Sequence, residues 1–475
     1  MESKKKLIVF TISLGMFLWS FSAGIVNISL PTLSQFLDIS TNEVSLIIIV
    51  HLLVLTSFLL IFGRIGDIVG QKKVFVVGIS IFTVSSYLCA ISLDIYQLLL
   101  FRIIQGVGSA MLISMVPSII TTVFSDTERG RIFGYISLTT TLGLAFGYGI
   151  GGFILEYFSW NWIFLSVVPL GIVTSIMAFL VLPSYKNSIS HIGFDLVGSV
   201  LIFLATLTFI LPFNIERIFN ASLNIMIITM LISVLLIIAF FKWESYYKDP
   251  LFDVSVLKNI SISLSVTAAF FVTLVITGTT FLLPFFLELV MGYSSDFTGL
   301  IILIPALAMI FVGPLSGHIS DKIGSRIPIL IACTTLIIAV TLLYVLNNTI
   351  GLAFIFIALA IRSLSEGMFT PANNKLVMSH STEEKISSVS SLLNTSRYMG
   401  LMMGVVFFNA IFDYIVNTKV SELTGLPTEG AFQLSAPTAI LLQGFQAAFV
   451  VGIIISILVL LFSFFSQENR IEDPS

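Results

Sequence analysis

Long apolar segments recur along almost the whole chain of 475 residues and leave few folds open to it. Many run for about 20 residues, the length that a helix needs to cross a bilayer, and they lack the alternation of barrel strands. Only 10% of the residues are charged, whereas soluble proteins carry about 25%. Backbone in lipid must satisfy its own hydrogen bonds, so the pattern predicts an all-α polytopic membrane protein.

A window of about 19 residues predicts fourteen transmembrane helices. They lie near residues 7–30, 43–64, 73–93, 97–123, 132–155, 161–182, 194–213, 222–241, 262–288, 298–319, 327–346, 350–374, 388–414 and 438–465. The first is predicted to be a retained helix, because no small-residue cleavage site stands at the depth that a signal peptide requires. The even number predicts that both termini lie on one side of the membrane.

Basic residues are distributed unequally between the two sets of connections. One set carries Lys4, Lys5, Lys6, Arg64, Lys72, Lys73, Arg129, Arg131, Lys186, Lys242, Lys248, Lys258, Lys322, Arg326, Lys375, Lys385 and Arg470. The opposite set carries only Arg217 and Lys419. Positive charge marks the cytoplasmic side, so we expect a multi-pass protein of the cell (plasma) membrane with both termini in the cytoplasm.

Two similar segments predict an internal repeat. Residues 63–73 read GRIGDIVGQKK and residues 317–326 read GHISDKIGSR. Both contain G-x-x-x-D-x-x-G, and both lie between the second and third helix of a set of six. The predicted gating residues in or near these segments are Gly63, Asp67, Gly70, Arg131, Gly317 and Asp321. We expect Asp67 to pair with Arg131 and latch the cytoplasmic side.

The repeat predicts six helices, two inserted helices and then six more. The expected divisions are an N-terminal half (1–185), the inserted helices with a connector (186–260), a C-terminal half (261–466) and a cytoplasmic tail (467–475). Repeated halves around a site near the membrane midplane are a common architecture of secondary transporters.

Two further runs carry a family resemblance. Arg102–Ala110 reads RIIQGVGSA and Gly143–Gly152 reads GLAFGYGIGG. With the repeated segments, they resemble the major facilitator superfamily, specifically its 14-helix drug:proton antiporter branch. The first run matches the signature RxxQGxGxA at every fixed position. The second resembles GxxxGPxxGG, with Tyr148 at the proline position.

The resemblance has one departure that concerns coupling. Antiporters of this branch usually carry an acidic residue in the first helix, just before a run like the one that ends here at Asn27. Ser22 stands at that position. Since the acid is implicated in proton or cation handling, the resemblance implies a different coupling route or different substrates.

Charged groups inside the bilayer cost roughly 2.5–3.5 kcal/mol each and are therefore candidate functional residues. The resemblance implies that Arg102 is an internal cation that tunes a protonatable group; alternatively, it binds backbone carbonyls and holds helices together. Arg362 and Glu366 lie one turn apart on one helix face. They either form a buried pair that neutralises itself or separate during transport, which would let Glu366 bind a proton.

Other candidate residues leave similar alternatives open. His51 is either a satisfied core histidine or a coupling group, because histidine titrates nearest neutrality. Glu288 either reaches interfacial water or attracts a cation or proton. Gly143, Gly147 and Gly151 lie on one helix side and, with Gly152, form the antiporter signature. They let helices approach closely, either between the two halves or within one of them.

The sequence predicts no catalytic residues, metal ligands or cofactor. It has no Walker motif, and Cys89 and Cys333 lie in apolar runs, where we expect no disulfide. We therefore expect a monomeric secondary transporter, not an enzyme, whose partners are protons, membrane lipid and a small lipophilic substrate, without nucleic acid. The leading hypothesis is proton-coupled export of drugs or toxic compounds by alternating access. The alternatives are a transporter of a defined metabolite, lipid-like molecule or peptide and, more remotely, a transport-inactive sensor.

Overall fold

The computed structural model describes residues 2–184, 195–219, 223–247, 253–347, 349, 351–381, 386–424 and 436–465. These residues form fifteen α-helices: α1 (Glu2–Phe36), α2 (Thr41–Val69), α3 (Gln71–Ala90), α4 (Ile95–Val123), α5 (Asp126–Tyr157), α6 (Asn161–Leu165), α7 (Val167–Val181), α8 (Leu196–Phe219), α9 (Leu223–Tyr246), α10 (Ile260–Phe285), α11 (Ser295–Ile323), α12 (Arg326–Val345), α13 (Leu352–Ser379), α14 (Ile386–Thr424) and α15 (Thr438–Phe465). A 3₁₀ turn (Val254–Lys258) precedes α10, and a π turn (Phe286–Val290) follows it.

The all-α membrane fold predicted from the sequence is confirmed. Thirteen described spans are long and apolar enough to cross a membrane, with α6 and α7 together forming one of them. The predicted helix at 194–213 corresponds to α8, where Leu196–Ile210 forms a shorter apolar helix. The helices α1 and α14 extend beyond their predicted bounds, because polar residues end a hydrophobic window without ending a helix.

Glycine ends two helices at equivalent places in the repeat. Gly70 follows α2 with φ +109°, and Gly324 follows α11 with φ +88°. This backbone region favours glycine because it has no Cβ. The repeated G-x-x-x-D-x-x-G segments were predicted to be connections, but the structure places their first seven residues in the last turns of α2 and α11.

The chain divides into two compact units. Unit 1 comprises Met1–Leu251, Gly292–Leu303 and Thr428–Ser435; unit 2 comprises Phe252–Met291, Ile304–Pro427 and Ala436–Ser475. In unit 1, α1 packs on α5, and α3 packs on α4 and α7. In unit 2, α10 packs on α14, and α12 packs on α13 and α15. The same helix pairs therefore pack at equivalent places of the sequence repeat.

Glycines allow the helix backbones to touch within each unit. In unit 1, a Cβ added to Gly143, Gly147 or Gly151 would press on α1; at Gly147 it would lie 2.5 Å from the carbonyl oxygen of Phe21. In unit 2, a Cβ on Gly404 would lie 2.4 Å from the carbonyl oxygen of Leu274. The contacts of these glycines therefore agree with the alternative in which they allow close packing within one half.

Gly152 has a different neighbour. A Cβ there would lie 2.3 Å from the carbonyl oxygen of Ser295 and 3.1 Å from the Cα atom of Gly299, in the first turns of α11 that belong to unit 1. The fourth glycine of the signature thus packs against another helix than the first three.

Candidate functional site

Arg102 is the central residue of a buried polar cluster in unit 1. Its side chain is 3% exposed. The Nε atom donates to the carbonyl oxygen of Ile47 in α2 at 2.9 Å, and Nη1 donates to the side chain of Gln105. No described carboxylate lies within 4.0 Å of this guanidinium. The alternative in which Arg102 binds a backbone carbonyl and joins two helices therefore describes its contacts.

His51 belongs to the same cluster. The Ser109 hydroxyl donates to the carbonyl oxygen of Gln105 at 3.0 Å, and its oxygen lies 3.2 Å from Nε2 of His51. Because a hydroxyl has one hydrogen, Nε2 is the donor in that contact, and the neutral ring then has an acceptor at Nδ1. Nδ1 is buried without a hydrogen-bond partner. Gln105 completes the cluster by donating to Ser86 in α3 at 2.7 Å.

Arg362 binds another helix of unit 2 and not its neighbour Glu366. The guanidinium Nη1 donates to the carbonyl oxygen of Ile276 in α10 at 3.1 Å and to the Thr280 hydroxyl. The Arg362 side chain is 8% exposed. No contact within 4.0 Å joins it to the Glu366 carboxylate, although both are described. The predicted self-neutralising pair is wrong for this conformation, because the hydroxyl and carbonyl oxygens of α10 accept from the guanidinium instead.

Glu366 is half-buried midway along α13. No described residue forms a hydrogen bond or a salt bridge with its carboxylate. The positive charge of Arg362, one turn away on α13, acts on this carboxylate electrostatically. The structure thus places an acidic group inside a membrane-spanning helix without the pairing that would offset the cost of its charge.

Glu288 lies in the π turn that extends α10. Proline has no N–H to donate, and Pro284 lies one turn before this change of helical register. Glu288 itself is half-buried. Single π turns are frequent at functional sites. A hydropathy pattern cannot predict a π turn, because the turn is defined by which carbonyl oxygen each backbone N–H reaches.

The predicted latch between Asp67 and Arg131 is not formed. The Nε atom of Arg131 donates to the Tyr135 hydroxyl at 2.7 Å, one turn along α5, and the guanidinium lies 5.4 Å from that ring's centroid. Gly63 and Gly317 have open space where a Cβ would project. Asp321 lies in the last turn of α11, and its side chain is outside the described set.

Ser22 and Tyr148, the two departures from the family pattern, are both buried. Sequence reasoning missed two other features. Lys5 and Glu128 form an ion pair of 2.8 Å between α1 and α5. Asp195, just before α8, and Glu244 in α9 approach the same position beside Gly198. The two members of each pair are distant in the sequence, so residue spacing could not predict that they would meet.

The helical repeat and the charged residues inside its helices define a polytopic membrane transporter. The chain belongs to the Major Facilitator Superfamily, whose family model matches residues 12–405. Members of this family are transporters and not enzymes.

The relatives of this chain include transporters of different substrates. The chain is 28% identical over 411 residues to the riboflavin transporter RibZ of Clostridioides difficile, covering 86% of this chain and 88% of the relative. It is 27% identical over 405 residues to the multidrug export protein EmrB of Haemophilus influenzae, covering 84% and 78%.

Solved structures share the fold at low identity. A bacterial homolog of the human lysosomal transporter Spinster, inward-facing and unoccupied, has a TM-score of 0.69 at 15% identity and covers 98% of this chain and 97% of its own. A D-xylose–proton symporter has a TM-score of 0.65 at 13% identity and covers 98% of both chains.

Proposed function

We propose that the protein exports lipophilic compounds in exchange for protons and that Glu366 is the coupling carboxylate. The observation that carries this proposal is the Glu366 side chain, half-buried in a membrane-spanning helix and without a hydrogen bond or salt bridge among the described residues. Ionised, such a group is costly; a bound proton removes that cost. Proton binding is therefore coupled to any movement that changes its surroundings.

The driving force fits such a mechanism. Each elementary charge that crosses a potential of 100 mV supplies about 2.3 kcal/mol, so a small number of protons suffices. Arg362 is held by Ile276 and Thr280 in the described conformation. A change that releases it from α10 would bring its charge to Glu366 and favour proton release. Two conformations with different proton affinity are what alternating access needs.

The proposal of export and of lipophilic substrates is supported by similarity to proteins named as multidrug exporters, among them EmrB of Haemophilus influenzae. The abundance of phenylalanine, 43 residues, suits an apolar substrate cavity. The protein as we propose it works as a monomer in the plasma membrane, without a cofactor or nucleic acid.

Reconstitution tests the proposed exchange. The purified protein in liposomes with an internal pH indicator should move protons when lipophilic cations or neutral drugs are added, and liposomes without protein should not. Proton movement with members of the panel supports the proposal. Substrate transport without proton movement contradicts the coupling, and absence of both contradicts the transport function and favours a transport-inactive sensor.

A second candidate is the transport of a defined, hydrogen-bonding metabolite without drug:proton exchange. Buried polar atoms in α1 and α2 without a hydrogen-bond partner favour it: Asn27 Oδ1, His51 Nδ1, Thr56 Oγ1 and Ser57 Oγ. Such atoms are costly unless something binds them. Ser22 in place of an acid and the similarity to a riboflavin transporter point the same way. Saturable riboflavin movement in the same liposomes, independent of a pH gradient, would support this candidate.

The charge asymmetry leads us to propose that both termini are cytoplasmic. Native Cys89 and Cys333 are buried and should not react with a membrane-impermeant maleimide on intact cells. We expect such a reagent to label Thr349→Cys, between α12 and α13, and to label Ser3→Cys only after permeabilisation. Labelling of Ser3→Cys in intact cells would reverse the orientation.

A further inference from the structure

Arg397 is a charged residue within a membrane-spanning helix that the sites above do not include. It lies in α14, three residues before Gly400, where that helix packs on the backbone of α10. Its half-buried side chain reaches α13: Nη2 donates to Oδ1 of Asn374 at 2.7 Å and to the carbonyl oxygen of Thr370 at 3.5 Å. A charge at this place is costly and needs a reason.

The acceptors of Arg397 lie on the same face of α13 as Glu366. Arg362, Glu366, Thr370 and Asn374 follow one another at intervals of four residues. Residues at this spacing share a helix face, and each step rises by about 6 Å. Glu366 therefore lies between two arginines: Arg362 one turn before it, and Arg397 of α14, whose guanidinium contacts the chain one turn after it.

The two arginines differ in how they are held. Arg362 is 8% exposed and donates to two acceptors on α10. Arg397 is half-buried and is held by the neutral amide of Asn374, with only a long contact to the Thr370 carbonyl. An arginine binds an ionised carboxylate about twice as strongly as a neutral acceptor. Ionised Glu366 should therefore draw Arg397 away from Asn374 by a movement of the side chain alone.

We propose that Arg397 stabilises ionised Glu366 and thereby promotes release of its proton. This role rests on the coupling proposed for Glu366. The proton leaves the carboxyl group for water, and Arg397, which stays charged, exchanges Oδ1 of Asn374 for the carboxylate. Arg397 binds between Glu366 and the end of α13 that we place in the cytoplasm, so it favours release to that side. The described contact with Asn374 is the one expected while Glu366 holds a proton.

Other charged or titratable groups lie on the elements around α13. α10 carries none between Ile260 and Phe285. The others are Glu288 in the π turn, His318, Asp321 and Lys322 on α11, Arg326, Cys333 and Tyr344 on α12, Lys375 and His380 at the end of α13, and Tyr398, Asp413, Tyr414, Lys419 and Glu422 on α14. In the part of the chain that the structure describes, none of these forms a hydrogen bond or salt bridge with Glu366. Glu366 therefore has no described partner that competes with either arginine.

The pH dependence of proton movement in reconstituted liposomes tests this role. Arg397→Gln keeps a donor for Asn374 and removes the charge, so Glu366 should hold its proton up to a higher pH. The pH of half-maximal, substrate-driven proton movement should rise by about one unit or more, while exchange of labelled substrate persists. Arg397→Lys retains the charge and should stay near the wild-type profile. Lys419→Gln removes an exposed cation from the same helix and should leave the profile unchanged.

Asn374→Leu should shift the profile in the opposite direction. Leucine cannot accept from Arg397, so the arginine stays with Glu366 and the proton leaves at a lower pH. Should Arg397→Gln not fold, this variant decides: a shift to lower pH supports the role, and no shift or a shift to higher pH overturns it. An unchanged profile in folded Arg397→Gln overturns the role of Arg397 and leaves the coupling at Glu366 in place. Wild-type protein that moves substrate without protons overturns both.

Discussion

Glu366→Gln should reduce substrate-driven proton movement to the level of liposomes without protein. Glutamine has almost the same size and cannot release a proton, so it fixes the neutral state that we assign to one half of the cycle. Exchange of substrate between the two sides needs no net proton transfer and should persist. The measurement compares proton movement with exchange of labelled substrate in the same reconstituted preparation.

Two further variants separate coupling from structure. Glu366→Asp retains a titratable carboxyl group and should retain part of the proton movement. Glu422→Gln changes the same chemical group at an exposed position and should leave both activities intact. Unchanged proton movement in Glu366→Gln would contradict the assignment. Loss of exchange together with proton movement in a folded Glu366→Gln protein would mean that the residue holds the structure or the substrate instead.

The fold could be predicted because its determinants are local. The length of the apolar segments predicted the helices. The repeated G-x-x-x-D-x-x-G segments identified equivalent positions in two sets of six helices. The structure adds the reason for part of that motif, since Gly70 and Gly324 both adopt positive φ where a helix ends. Helix ends were predicted less well, as in α14, because polar residues continue a helix beyond the lipid.

The candidate sites could be predicted only as residues and not as contacts. Arg362 and Glu366 lie on one helix face, but the guanidinium reaches α10, 82 residues away at Thr280. Spacing cannot weigh a partner on the same helix against acceptors on another. The same limit hid the close approach of Asp195, just before α8, to Glu244 in α9. Arg131 donates to Tyr135 on its own helix and not to Asp67 of α2, the partner expected from the sequence.

Gly147→Ala should destabilise the protein by about 1–3 kcal/mol, as expected for overpacking a tight interior. The new Cβ would lie 2.5 Å from the carbonyl oxygen of Phe21 and 3.0 Å from the Cα atom of Gly24. Both atoms belong to the backbone of α1, so no side chain can rotate away, and α1 and α5 must separate. Thermal denaturation in detergent, monitored by circular dichroism, measures the loss.

The same helix supplies the matched comparison. Gly134 is exposed on α5 and has no atom within 4 Å of the position that a Cβ would take. Alanine there should stabilise the protein by about 0.5–1 kcal/mol, because glycine loses more conformational freedom in a helix. Opposite signs in one helix would assign the effect at Gly147 to contact with α1. Stabilisation by both substitutions would show that α1 and α5 have room to separate at no cost, and the close approach of their backbones would then not limit the stability of unit 1.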